Sequence, residues 1–346
     1  LDEADLELSN YYVLGFQSNS PKRDGRFREL EVKTDVRGAT IKHRNGYFDS
    51  RPVDILANSK EERSLLHLLA SAVAPASRLP VLLRAFYFYE TAAMARIPVA
   101  AKIPAASIEI RKKGGQLGSD LHIMGVAYGE DGSVSARFSE TQHILLDKEA
   151  EQTFRKQNLV YRNYFKLRPG KYQLKLAVSD EQGNTGFAQQ SLEVPPMPQD
   201  GWVASSLVVA DQVSRLPDLI QNLRTALLEE NDPLIFNGVQ IVSSVENQFP
   251  VNVPVPVFFK LYNLTGNPDQ RKLVAKVELL GEQGESQALP PMPLDQNLFL
   301  TGKTDAIIAI NLNFEKVTPG KYRLLVETVD ALSSQSVRLE TDLRFR

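Results

Sequence analysis

The chain has 346 residues, with 40 lysines and arginines against 42 aspartates and glutamates and a formal net charge of −2, which gives no basic footprint for nucleic acid or an anionic membrane. The absence of cysteine removes disulfides, thiolate metal sites, iron–sulfur clusters and a cysteine nucleophile together. A hydrophobic content of 42% with 16 Phe and 11 Tyr describes a core-forming chain, and at about 150 residues per domain the length fits two domains and part of a third.

In chain order, the acidic start Leu1-Asp2-Glu3-Ala4-Asp5-Leu6-Glu7 has no methionine, so a piece of a longer protein is expected. Residues 1–15 lack a basic segment followed by an apolar core, and no apolar run approaches the ~20 residues of a membrane span. Strands are expected at Tyr11–Phe16, Phe27–Lys33 and Ala39–Phe48, around the turn-rich Ser18–Gly25. Ser59–Ala70 has an acidic first turn and Leu65, Leu66, Leu68 and Leu69 at helical spacing, which predicts a short amphipathic helix. Leu121–Tyr128 and Ser133–Phe138 flank Gly-Glu-Asp-Gly, a hairpin signature. In Tyr172–Ser179 the apolar Tyr172, Leu174, Leu176 and Val178 alternate with Gln173, Lys175, Ala177 and Ser179, a strand with one apolar face. The Pro-rich Val194–Gly201 breaks both periodicities and marks a domain boundary. Beyond it, Arg215–Leu228 with Pro217 near its start is expected to be a second helix.

The chain repeats itself. Leu167-Arg168-Pro169-Gly170-Lys171-Tyr172 recurs as Val317-Thr318-Pro319-Gly320-Lys321-Tyr322, each followed by an alternating strand ending in Asp180 or Asp330. Ile97–Pro104 matches Phe249–Pro256, and Gly129–Ser133 matches Gly281–Glu285, at nearly the same offset. Recurring strands and turns without a long helical pattern inside either unit predict tandem antiparallel β-sandwiches. In Pro-Gly-Lys-Tyr the tyrosine ring is expected to pack inward while its hydroxyl bonds a backbone group upstream, as in the tyrosine corner of immunoglobulin-like domains.

The opening blocks Tyr11-Tyr12-Val13-Leu14-Gly15-Phe16, Pro21–Lys33 and Ile41–Phe48 resemble the end of the von Willebrand factor A-related domain of a bacterial family described from acidobacteria. Ser205–Ala210, Asp232–Gly238 and the two Pro-Gly-Lys-Tyr strands are similar to the β-rich C-terminal region of the same proteins. The resemblance spans most of the chain and implies an exported protein, secreted or periplasmic, with an interaction role. A-type domains bind a divalent cation through D-x-S-x-S at the end of their first strand, completed by a Thr and an Asp from other loops. On this resemblance the chain is expected to begin near the last strand of such a domain and to lack that first strand.

Few residues suggest chemistry. Asp131-Gly132-Ser133-Val134-Ser135 matches D-x-S-x-S by letter. It falls in a hairpin, and an Asp-Gly turn is the preferred reading. His43, His67, His122 and His143 have no paired metal spacing; His122 and His143 fit neighbouring strands, and His67 falls on the apolar helix. Gly114-Gly115-Gln116-Leu117-Gly118 after Arg111-Lys112-Lys113 lacks either phosphate-loop fingerprint and reads as a turn. No G-x-S-x-G elbow occurs. Phe86-Tyr87-Phe88-Tyr89 is either a carbohydrate platform or, with period 2, core on one side and sheet surface on the other, the preferred reading. Asn263-Leu264-Thr265 is a glycosylation sequon by letter.

The expectation is a mainly β chain with few short helices. Residues 1–57 are terminal strands of a von Willebrand factor A-related domain. Residues 58–198 form a first immunoglobulin-like sandwich with a short leading helix, and 199–346 a second with a leading helical linker. No catalytic, cofactor-binding or metal-ligating residue is assigned, and no cofactor. The function expected is a non-enzymatic interaction or scaffold protein whose partner is another protein or a cell-envelope component, with no nucleic acid and no membrane span. The alternatives are a carbohydrate-binding module and a hydrolase whose site assembles from separated loops.

Overall fold

A computed structural model of the chain describes residues 27–29, 31–35, 46–48, 60–70, 77–113, 116–198, 200–215, 232–236, 238–264, 272–294, 298–300, 304–333 and 335–346. It is mainly β and divides into two compact units, Leu1–Ala57 and Asn58–Arg346. In the first unit β1 (Phe27–Glu29) pairs antiparallel with β2 (Gly46–Phe48), Phe27 opposite Phe48. Glu31–Asp35 continue from β1 without strand geometry. The strand expected at Tyr11–Phe16 lies outside the described residues.

The second unit opens with the expected helix, α1 (Lys60–Ala70). The first sandwich follows: β3 (Leu82–Ala85), β4 (Phe88–Thr91), β5 (Met94–Pro104), β6 (Arg111–Lys113), β7 (Gln116–Gly129), β8 (Val134–Leu146), α2 (Lys148–Arg155), β9 (Asn158–Leu167), β10 (Gly170–Asp180) and β11 (Thr185–Val194). One sheet holds β5 between β9 and the β3 and β4 pair; the other runs β11, β10, β7, β8, with β6 on β7. Between the two sheets lie Ile97, Val99 and Ile103 of β5, Leu121 and Ile123 of β7 and Leu174, Leu176 and Val178 of β10. Gly125 is required here: a Cβ would sit 2.3 Å from the Phe138 ring that crosses it from β8.

The face of β10 expected to be polar keeps Gln173 and Lys175 partly exposed but is covered over its second half. Ala177 and Ser179 are buried, as are Met124 and Val126 on the same side of β7. The reason is α1, which packs on β10 and β7, buries Leu65 and Leu69, and takes a hydrogen bond from Lys175 Nζ to the Leu69 carbonyl at 3.0 Å. Among the described residues one further α-helix occurs, α2, which the sequence pattern does not predict. It bridges β8 and β9 as an eight-residue segment with no buried residue, an acidic first turn and an Arg155–Glu151 pair at 2.8 Å.

The second sandwich contains β12 (Val203–Ala204), β13 (Val208–Arg215), β14 (Ile235–Phe236), β15 (Val239–Ser243), β16 (Gln248–Phe249), β17 (Val255–Tyr262), β18 (Leu273–Gly281), β19 (Ser286–Ala288), β20 (Met292–Pro293), β21 (Leu298–Leu300), β22 (Ala306–Leu312), β23 (Gly320–Asp330) and β24 (Ser336–Phe345). Its first sheet runs β14, β15, β13, β17, β22, β21 with β12 on β17; its second runs β16, β24, β23, β18, β19 with β20 on β18. Arg215 ends β13, and the helix expected over 215–228 otherwise lies outside the described residues. The central strands β17 and β22 of the one sheet and β24, β23 and β18 of the other stand in the same order as β5 and β9, and β11, β10 and β7, of the first sandwich.

The sequence repeat is explained by register. Tyr172 on β10 pairs with Gly129 on β7, and Tyr322 on β23 pairs with Gly281 on β18, so two of the matched blocks touch. Each glycine closes the same turn: Gly129 N–H donates to Ser133 O at 2.9 Å and Gly281 N–H to Glu285 O at 2.7 Å. Both tyrosine rings are half-buried against their own core, and both hydroxyls donate four residues back, Tyr172 to Arg168 O at 2.8 Å and Tyr322 to Thr318 O at 2.9 Å. The buried Asp180 and Asp330 each order the turn that follows their strand. Asp180 accepts from Gln182 N and Asn184 N at 2.9 and 2.8 Å, Asp330 from Leu332 N and the Ser333 hydroxyl at 3.1 and 2.7 Å. Burial works against ionisation of Asp330, but these bonds outweigh it and hold its carboxyl below the ordinary range. The third match does not occupy equivalent positions: Ile97–Pro104 lies within β5, whereas Phe249–Pro256 spans the end of β16, a turn and the first residues of β17.

Candidate functional site

Phe86-Tyr87-Phe88-Tyr89 lies where the two sandwiches meet, and both of its faces are covered. Phe86 and Phe88 pack with Val208, Ala210, Phe258 and Ile307 on the outer face of the β13–β17–β22 sheet. Tyr87 and Tyr89 turn the other way, into the first core, where they meet Tyr262 of β17. The period-2 reading therefore gives the correct sidedness, but the side expected to be sheet surface is interior, with Tyr89 5% exposed. The sheet that receives the block is covered on both faces, with Val209, Val257, Phe259 and Ile308 packed into the second core on one side and Phe86 and Phe88 laid on the other.

Polar contacts fix the register of this junction. Tyr89 N–H donates to the Tyr262 hydroxyl at 3.0 Å, and the two rings meet edge to face with centroids 5.4 Å apart. Tyr89 in turn donates its hydroxyl to Pro195 O at 2.7 Å, tying in the Pro-rich connection. Tyr87 and Ser206 exchange two bonds: Tyr87 N–H to Ser206 Oγ at 2.9 Å and Ser206 N–H to Tyr87 O at 3.0 Å. Burial, reinforced by Glu193, pushes the Tyr87 hydroxyl up to about 12, and burial raises Tyr89 and Tyr262 as well. All three hydroxyls thereby stay protonated further into the alkaline range than a solvent-exposed tyrosine does. Lys102 pairs with Glu246 across the junction, and Asn263, the letter-only sequon, donates through Nδ2 to Pro198 O at 3.0 Å. Thr265 lies outside the described residues.

Beside the junction opens a cleft of about 540 Å3, walled by Arg84 and Glu246 on one side and by the ends of β18, β23 and β24 on the other. Arg84 donates Nε–H to Val245 O at 3.4 Å, and burial lowers its pKa while Asp342 raises it.

The remaining candidates serve structure. Asp131 Oδ1 accepts from Ser133 N at 2.9 Å and Ser133 Oγ at 2.7 Å, with Gly132 at φ 76°: an Asp-Gly hairpin turn, as preferred. His122 and His143 do lie on neighbouring strands, but each engages its own partner, Thr141 Oγ1 at 3.0 Å and Asp120 Oδ1 at 2.9 Å. His67 is exposed on α1, and His43 lies outside the described residues. Lys113 pairs directly with Gln116, so the Gly114–Gly115 step joins two paired strands; its own residues lie outside those described. Glu140, which sequence reading passed over, points inward from β8 and accepts from the Tyr161 hydroxyl at 3.0 Å and Asn163 Nδ2 at 3.3 Å on β9. Among the described residues no group of three or more His, Asp or Glu is arranged to hold a metal ion, and no helix is long and apolar enough to cross a membrane.

No protein-family profile and no curated protein matches the chain. Among solved structures, it is similar to the BSP domain of a biofilm-associated protein, at 8% identity and TM-score 0.21, covering 83% of this chain and 55% of that one. It is also similar to a calcium-binding mutant of Bacteroides uniformis beta-glucuronidase 2, at 7% identity and TM-score 0.24, covering 77% of this chain and 60% of that one. The chain thus spans little more than half the length of these neighbours, and at such scores neither likeness enters the argument below.

Proposed function

We propose that the chain is a non-enzymatic, exported interaction or scaffold protein, in which two immunoglobulin-like sandwiches are joined into one block of fixed geometry. The observation that carries this reading is the junction at Phe86–Tyr89. A flexible array of binding modules has no use for two phenylalanines and a tyrosine buried across its connection, whereas a spacer that must hold a fixed geometry does. The shared strand order and the two tyrosine corners support the immunoglobulin-like assignment. The aromatic block that a sugar-binding face would have used is inside the protein, which counts against the carbohydrate reading of those residues. The assignment of residues 1–57 to the end of an A-type domain is part of the same proposal. It is supported by the sequence blocks named above and by the β1–β2 pairing.

The test is a substrate and ligand survey on the full chain. Chromogenic glycosides, esters and peptides are expected to show no turnover above buffer, while immobilised cell-envelope fractions retain the protein. Turnover of any substrate that is lost on substituting a cleft residue such as Arg323 would overturn the reading in favour of a hydrolase.

A further inference from the structure

The cleft beside the junction has a charge pattern that the fold does not require. Four cations line it, Arg84, Lys321, Arg323 and Arg344, against Glu246, Glu282 and Asp342. Two of those carboxylates are already engaged, Glu282 with Lys321 at 3.5 Å and Glu246 with Lys102. What remains is three guanidinium groups facing one aspartate. None of the three forms an ion pair among the described residues, and Arg84 is half-buried with a single long hydrogen bond for its five N–H donors. A desolvated guanidinium with spare donors beside an open cavity favours an oxyanion, which it can grip through two parallel bonds.

The repeat supplies an internal control. Arg323 pairs with Asp342 and Lys321 with Arg344 across β23 and β24. At the corresponding places on β10 and β11, Gln173 pairs with Ser191 and Lys171 with Glu193. The first copy is therefore neutral along this row, and Gln173 and Ser191 simply hydrogen-bond each other at 2.9 Å. Since the same strands fold with either set, Arg323 and Arg344 are not needed to build the sandwich. Only the second copy meets Arg84 from the neighbouring sandwich.

From this we infer that the cleft bounded by Arg84, Arg323 and Arg344 is a binding site for a small dianionic oxyanion, a chemistry shared by dicarboxylates and phosphate esters. The inference stands apart from the scaffold reading: turnover of a substrate would end that reading and leave this site in place. Calorimetric titration of the full chain at low ionic strength and neutral pH with succinate, inorganic phosphate and neutral glucose tests it. Saturable binding of succinate or phosphate is expected, and which of the two binds more tightly identifies the source of the anion. Arg323→Gln and Arg344→Gln are both exposed changes, and each is expected to weaken binding about tenfold or more. Arg338→Gln, on β24 but outside the cleft, is expected to leave it unchanged. Arg84→Gln is a poorer probe because it also touches the junction. No saturable binding of either anion up to about 10 mM, or equal weakening by Arg338→Gln, overturns the inference.

Discussion

Phe88→Ala asks whether the two sandwiches fold as one. Phe88 is 2% exposed, and its ring lies 6.0 Å from that of Phe258, which in turn stacks on Phe236 at 5.4 Å. An aromatic side chain buries roughly 150–250 Å2, worth about 4–6 kcal/mol at ~25 cal/mol per Å2. Keeping the alanine methyl and allowing partial collapse brings the expected loss to about 3–5 kcal/mol. At an unfolding entropy of about 2.1 cal/mol/K per residue, a cooperative unit of this size loses roughly 1.5 °C per kcal/mol, so a drop of about 4–8 °C is expected. The protein carries its own reporter, because the single tryptophan, Trp202, is buried in the core of the second sandwich while Phe88 belongs to the first. Guanidinium unfolding should be followed by Trp202 fluorescence and by far-ultraviolet circular dichroism. In the parent chain the two curves should coincide, and Phe88→Ala should move the tryptophan curve to lower denaturant although the substitution lies in the other sandwich. A tryptophan transition that stays in place while the dichroism curve shifts would refute the packing of Phe88 on the β13–β17–β22 sheet.

Other expectations follow from individual contacts. Tyr172→Phe and Tyr322→Phe each remove a half-exposed hydroxyl bond and should cost roughly 0.5–1 kcal/mol in denaturant unfolding; parent stability in both would remove the corner bond as a contributor. Tyr87 is held protonated in the folded protein up to about 12, above the ordinary ~10 of an unfolded chain. Its contribution is thus complete below pH ~10 and lost as pH rises toward 12, and Tyr87→Phe should flatten the alkaline limb of a stability–pH curve; an unchanged limb refutes the assignment. Glu140→Leu strips Tyr161 and Asn163 of their acceptor, at about 1–3 kcal/mol, and removes an inward-pointing charge from β8, whose outer edge pairs with no described strand. Concentration-dependent self-association in sedimentation velocity is expected, and a monomer of parent stability would contradict it.

The elements that alternate cleanly were legible in the sequence. The β7–β8 hairpin, β10 and β23 could be read from period 2 and glycine turns because each lies beside its partner strand in the chain or in the repeat. The hydroxyl bond of Tyr172 and Tyr322 could be read for the same reason, being local to four residues. What stayed hidden depends on distant partners. Ala177 and Ser179 look like a solvent face until α1 is laid on them. Val255-Pro256-Val257-Phe258-Phe259-Lys260-Leu261-Tyr262 gives a nearly continuous apolar run, and such a run does not disclose what covers its second side. The cleft was invisible because Arg84 and Arg344 come from opposite ends of the unit, and its charges stand out only when β23 and β24 are compared with β10 and β11.

The doubly covered β13–β17–β22 sheet also constrains anyone who would dissect the molecule. A clone beginning at the Pro-rich connection would carry Phe258, Ile307 and Val208 without the Phe86 and Phe88 that cap them, an oily stripe in contact with water. Grafting the second half onto another carrier therefore requires carrying a segment with Phe86 and Phe88 along with it, or repainting that stripe with polar side chains.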